Sequence, residues 1–228
     1  MLRVASYNIQ KGMGHDFRRR PRRTLAVLRE MRADVVILQE ADRRFGPRLS
    51  ALPEDQIERL TPYTPADVRV RPGSIGWHGN AVLVRGGLRV IKTKRLDLPH
   101  FEPRGAVMAV VDLDGGPLVV VGAHLALATR HRTGQAEALA EFAERADMPL
   151  VMGGDLNEWS REGGGLAPLQ SALTEHIPGP TFPAFKPIAP LDRFYHCGGL
   201  TVEARVHDTP LSRVASDHLP IVADVARA

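Results

Sequence analysis

Three side chains able to do chemistry, Ser216, Asp217 and His218, stand together near the end of the chain in the stretch VASDHLPIVADV. Polar residues recur elsewhere in the same kind of place, at the edge of an apolar run. Asn8 lies in SYNIQ, Glu40 closes VVILQE, His124 follows VVVGA, and Asp155 and Asn157 close LVMGGDLN. Asp192 opens LDRFYHC, and Asp217 and His218 open the last apolar run. Each has a plainer use when taken alone. A carboxylate after a strand is often only solvated, a single histidine packs into a core, and Asp-X-Asn after glycines folds onto its own backbone. Repetition carries more weight, because a sheet holds the side chains at its strand ends in fixed positions. Asn8, Glu40, Asp155, Asn157 and Asp217 supply oxygen donors with no thiolate among them, a set that suits Mg²⁺ or Mn²⁺. Imidazoles beside such a cation suit a transition state that accumulates negative charge.

The elements that must carry these residues follow from hydrophobic pattern. Strands are predicted at residues 2–9, 34–40, 80–84, 105–113, 117–125, 149–157, 191–197 and 200–206, with a last one following His218. Several are apolar on both sides, which implies a cover on each face. Leu25, Leu28 and Met31 share a helical face behind Pro21, and Leu139, Phe142, Ala143 and Ala146 share another. A short third helix is expected over 166–175. Helices alternate with strands early, and hairpin pairs dominate the middle, as around DLDGGPL. The sequence therefore predicts an α/β chain with mixed sheets under helical covers. The proline-dense stretch 178–190 reads as a surface loop. No repeat or boundary divides residues 1–228, so a single domain is expected.

With 43% hydrophobic and 25% charged residues, the 228-residue chain has ordinary globular composition. No apolar run reaches the roughly 20 residues that span a bilayer, and the amino terminus has no signal-peptide core. A cytoplasmic location is the resulting expectation. A single cysteine, Cys197, excludes an internal disulfide and gives no support to a zinc cluster. The net charge is +4, and only four lysines accompany a large excess of arginine. Arginine binds phosphate with a planar fork, so anionic partners are favoured.

Taken in order, SYNIQ, LQE, GNAVLVR, GAHL, GGDLNE, TFPA, LDRFY and SDHLP resemble the endonuclease/exonuclease/phosphatase superfamily of DNase I-like proteins. The resemblance runs from residue 6 to residue 220. It implies a four-layer α/β sandwich, two packed mixed sheets flanked by helices, and metal-dependent hydrolysis of a phosphoester by in-line attack of water. It also implies roles. Glu40 matches the main ligand of Mg²⁺ (Mn²⁺ being possible), with Asn8 and Asp217 close to the metal. Asp155 matches the residue that orients or deprotonates the attacking water, with Asn157 beside it. His218 matches the imidazole that bonds the phosphate, Asp192 the carboxylate that fixes its tautomer, and His124 the second histidine. Arg104 and Asn80 match phosphate-binding positions. Ser216 is expected to shape the turn rather than act as a nucleophile. Two departures stand out: Arg193 follows Asp192 where relatives carry an apolar residue, and GAHL lacks the Thr or Asn often found before its histidine.

Such a chain is expected to be a phosphodiesterase or nuclease acting on nucleic acid. The alternative is a phosphatase or phosphodiesterase of phospholipid head groups or small phosphorylated metabolites. The loops are short, and aromatic residues make up only 5% of the chain, so little stacking surface is expected. Trp77, Trp159 and Tyr195 read as packed. No protein partner is inferred.

Overall fold

The computed structural model describes residues 1–43, 46–99, 104–162 and 164–228. Along the chain, β1 (Leu2–Asn8), α1 (Pro21–Met31), β2 (Val35–Gln39), α2 (Glu54–Leu60), β3 (Tyr63–Pro65) and β4 (Ala81–Arg85) come first. Next come β5 (Val90–Leu96), β6 (Gly105–Val111), β7 (Leu118–His124), α3 (Thr129–Glu144) and β8 (Leu150–Asp155). The chain ends with α4 (Ala167–Ala172), β9 (Thr174–His176), β10 (Asp192–Cys197), β11 (Leu200–Val206), α5 (Ser212–Ala215) and β12 (Ile221–Arg227).

These strands form two six-stranded sheets, ordered β11-β12-β1-β2-β4-β3 and β5-β6-β7-β8-β10-β9. Each has one parallel pair, β1/β2 or β7/β8, and its other neighbours run antiparallel. The parallel pairs need crossovers, and the crossovers contain α1 and α3. Alternation along doubly covered strands sorts the core into three layers. Val35 and Ile37 of β2 meet Val107, Val120 and Phe194 between the sheets. Val36 and Leu38 face Leu25, Leu28 and Met31 of α1. Val119 and Val121 of β7 face Leu139 and Ala143 of α3. The result is the expected four-layer α/β sandwich.

Some local expectations need correction. The helix foreseen over 166–175 ends at Ala172, because Thr174 and Glu175 pair as a strand with His196 and Tyr195. The last strand does follow His218 as expected, beginning at Ile221, with Asp217 and His218 in the turn before it. The stretch 178–190 is not merely a surface loop. Its Thr181, Ala184 and Ala189 are buried, and it is tied down by bonds from Ala184 N to Asp217 O and from Leu219 N to Thr181 O. The edge strand β5 escaped the hydrophobic pattern because VIKTKRL exposes Lys and Arg along most of its length.

Candidate active site

Register explains why the polar residues meet. Parallel pairing puts Asn8 beside Gln39, so β1 and β2 end level and Glu40 follows at once. In the other sheet His124 pairs with Asp155 at the ends of β7 and β8. Antiparallel neighbours begin where these strands end. Asp192 pairs with Asp155, Gly105 (just after Arg104) pairs with His124, and Ala81 (just after Asn80) pairs with Leu38. One end of both sheets thus collects residues from eight segments.

Asp155 is the hub, only 2% exposed. Its Oδ2 accepts a 2.9 Å bond from Asn8 Nδ2, which crosses from one sheet to the other. The same oxygen lies 3.3 Å from His124 Nε2 and 3.7 Å from His218 Nε2. Its Oδ1 accepts from the Asn157 amide at 3.1 Å, and Asn157 holds a left-handed backbone, φ 53°. Two glycines precede Asp155 for a packing reason. A Cβ on Gly154 would collide with the Ala123 carbonyl, and one on Gly153 with the Phe194 ring. Burial tends to raise the Asp155 carboxyl, but the charges of His218 and His124 prevail and hold it well below the usual carboxylate range.

His218 Nδ1 meets Asp192 Oδ2 at 2.8 Å, and Thr181 Oγ1 donates to the same oxygen at 2.6 Å. Burial opposes an imidazolium here, yet Asp192 and Asp155 outweigh it and His218 is pushed up to about 10. Its Nε2, too far from Asp155 for a good bond, can donate to a substrate oxygen. His124 Nε2 contacts the Arg104 guanidinium as well as Asp155. Accepting from Arg104 requires that nitrogen bare, and donating to Asp155 requires it protonated. Leu125 O accepts from both Arg104 Nη1 and Asn157 Nδ2, each at 2.9 Å. Asn80 is buried and donates to Gly105 O at 2.9 Å; its Oδ1 has no hydrogen-bond partner among the described residues.

Beside this hub lie Glu40 and Asp217, both half-buried. Burial pushes Asp217 up and the Glu40 charge adds to the push, so the two carboxylates repel. Glu40 has a left-handed backbone, φ 54°, and an ion pair with Lys11, itself at φ 57°. A left-handed conformation costs a non-glycine residue roughly 1 kcal/mol or more. Two repelling carboxylates and the Asn8 amide fit a divalent cation with oxygen ligands. Among the described residues no group of three or more His, Cys, Asp or Glu side chains is placed to hold a metal ion. A set of two carboxylates and an amide would leave the remaining ligand positions of a Mg²⁺ to water and phosphate.

The structure therefore brings all ten expected residues, Asn8, Glu40, Asn80, Arg104, His124, Asp155, Asn157, Asp192, Asp217 and His218, to this end of the sheets. Ser216 Oγ donates to Asn8 O at 2.7 Å and so braces the turn. Lys11, Thr181 and Phe182 went unread as site residues. The Phe182 ring centroid lies 5.0 Å from that of His218. TFPA carried the signal for two of them, and the third stands three residues after Asn8. Trp159, expected to pack, is 58% exposed.

A family model described as the Endonuclease/Exonuclease/phosphatase family matches residues 5–218. The chain is 29% identical over 160 residues to protein YbhP of Escherichia coli, a match covering 66% of this chain and 63% of that protein. Two solved structures have the same fold. D. rerio TDP2 complexed with single strand DNA product gives a TM-score of 0.74 at 16% identity, covering 99% of this chain and 98% of that one. The mannosyl-6-phosphatase of Bacteroides thetaiotaomicron gives 0.73 at 14%, covering 99% and 100%.

Proposed function

We propose that this chain, which belongs to the endonuclease/exonuclease/phosphatase family, is a divalent-metal-dependent phosphodiesterase acting on nucleic acid. Members of the family hydrolyse phosphoesters. The observation that carries the reading is Asp155, a buried carboxylate held between two imidazoles and an amide. Kept ionised, it orients the attacking water and receives its proton as the new P–O bond forms. His218, charged and fixed by Asp192, donates to a non-bridging oxygen where negative charge grows. Arg104 and Asn80 add donors for the same phosphate. Glu40, Asp217 and Asn8 would hold Mg²⁺, or Mn²⁺ in its place. When bound, the cation polarises the phosphoryl group and stabilises the oxygen that leaves.

Nucleic acid is supported by the net charge of +4 carried mostly by arginine. The structural likeness to a protein bound to single-stranded DNA supports it too. Among the described residues no helix is long and apolar enough to cross a membrane. The test is hydrolysis by the parent and by Asp155→Ala with Mg²⁺, Mn²⁺ or EDTA. Substrates are single- and double-stranded DNA, RNA, bis-p-nitrophenyl phosphate, p-nitrophenyl phosphate and phospholipid. Nucleic-acid cleavage lost in EDTA and in the variant is the expected result. Turnover confined to phospholipid or monoesters would replace the substrate assignment and keep the chemistry.

A further inference from the structure

A tryptophan that leaves more than half its surface in water forgoes much of the stabilisation that burying a large apolar side chain yields. Trp159 does so two residues beyond Asn157, at the mouth of the site. Its ring meets Phe182 edge-on, centroids 6.1 Å apart at 79°, and Phe182 lies against His218. A line of rings thus leads from His218 to solvent.

The backbone under Trp159 is pinned on both sides. The Glu158 carboxylate accepts from Arg132 at 3.1 Å, from Ser160 N at 3.0 Å and from Gly165 N at 2.8 Å. The Glu158 and Ser160 carbonyls accept from Arg193, which is fully buried. Two buried arginines therefore hold a loop whose indole faces outward, an arrangement that lowers the ordering cost of a ligand. We infer that Trp159 and Phe182 form a stacking shelf for an unpaired nucleobase flanking the phosphate bound at His218. The inference rests on the nucleic-acid reading above and names the strand state and the residues that read it.

The neighbours of Trp159 favour a base over an acyl chain. Ser160, Arg161 and Glu162 are all exposed, and immersing Trp159 in lipid would drag the last two charges after it. In water Arg161 and Arg130, also exposed, suit the phosphates of an extended strand. Leu127 and Ile188 are exposed as well, at 61% and 65%, so the membrane alternative belongs in the test.

Trp77 and Trp159 are the two tryptophans of the chain, so Trp77→Phe leaves one reporter. In EDTA, oligothymidylate should quench its fluorescence saturably. The parent should bind oligothymidylate about tenfold more tightly than an abasic strand of equal length, the worth of roughly one stacked base. Trp159→Ala should erase that preference, and Trp159→Phe should keep most of it. An unchanged preference in Trp159→Ala, or none in the parent, overturns the shelf. Loss of binding to phosphatidylglycerol vesicles in Trp159→Ala, with oligothymidylate binding intact, overturns it in favour of a membrane anchor. Hydrolysis separates the two claims. Base-dependent binding without nucleic-acid cleavage keeps the shelf and fails the proposed activity, whereas cleavage without base-dependent binding does the reverse.

Discussion

Among the described residues Arg193 is the largest fully buried side chain, and its strand opens on Asp192. Its guanidinium donates to Glu175 Oε1 at 2.8 Å, Glu158 O at 3.1 Å and Pro190 O at 3.3 Å, and also to Ser160 O. One residue thus ties together β9, the loop after Asp155 and the end of the 178–190 stretch. Arg193→Met would keep the packing volume and remove every donor. Breaking a buried pair leaves an uncompensated charge and costs about 3–5 kcal/mol. Here the Glu175 side chain is 16% exposed and keeps its bonds from Tyr195 and Gln170, which lowers the charge penalty. The three stranded carbonyls add about 1 kcal/mol each where water does not reach them. A total of about 4 kcal/mol lowers Tm by roughly 10 °C in a chain of this size. Urea unfolding of the parent, Arg193→Met and Arg193→Lys measures it, with both variants well below the parent because an ammonium cannot reproduce the fork. Adding Glu175→Leu to Arg193→Met should cost less than the two single losses summed. A loss under about 1 kcal/mol in Arg193→Met would refute the clamp.

Three further outcomes are expected. His218, raised from 6.5 to about 10, contributes stability that is complete below 6.5 and lost as pH rises through 10. Urea unfolding should therefore weaken across that window in the parent and weaken less in Asp192→Asn; a parent curve flat from 6.5 to 10 would contradict the pairing. Thr181→Val removes the hydroxyl on Asp192 Oδ2 at nearly constant shape. It should cost about 1–2 kcal/mol and lower kcat more than KM in the hydrolysis assay, because it acts through the imidazole. Gly154→Ala drives a Cβ into the Ala123 carbonyl and should destabilise by about 3 kcal/mol or more, read as a drop in Tm.

Fold and site were legible to different depths for physical reasons. Doubly covered strands such as β2 (Val35–Gln39) announce themselves because both faces must be apolar. β5 does not, because edge position lets Lys92, Lys94 and Arg95 point into water. Asn8, Glu40, His124 and Asp155 were readable because each interrupts an apolar run where a strand ends. Thr181 and Phe182 lay in a stretch whose prolines predict a loop correctly but say nothing about what packs beneath it. Arg193 was noticed only as an odd residue, since nothing in a sequence reveals which carbonyls will surround a guanidinium. Trp159 failed differently. Its burial depended on the direction of a short loop, and that direction is set by Arg132 and Arg193, 27 residues before it and 34 after it.

The place of the site follows from the same topology. Polar groups between two sheets are costly unless paired: Val4, Val35, Val107 and Val120 fill much of the seam, and the buried Ser6 and Gln39 side chains bond each other. At the end where both parallel pairs stop, the backbone ladders also stop, and β6, β10 and β4 have just begun. Antiparallel neighbours therefore add side chains at the level where the parallel strands deliver theirs. The Asn8–Asp155 bond closes the seam at this point. Charges clustered there are tolerable only as a set. Asp192 stabilises His218, His218 stabilises Asp155, and Asp155 accepts from Asn8. Asp217 joins the set through His218 and the Ser216 hydroxyl, yet burial and the Glu40 charge still push it up, while Lys11 offsets Glu40. Glu40 and Asp217 still repel each other, so the proposed divalent cation would relieve this pair.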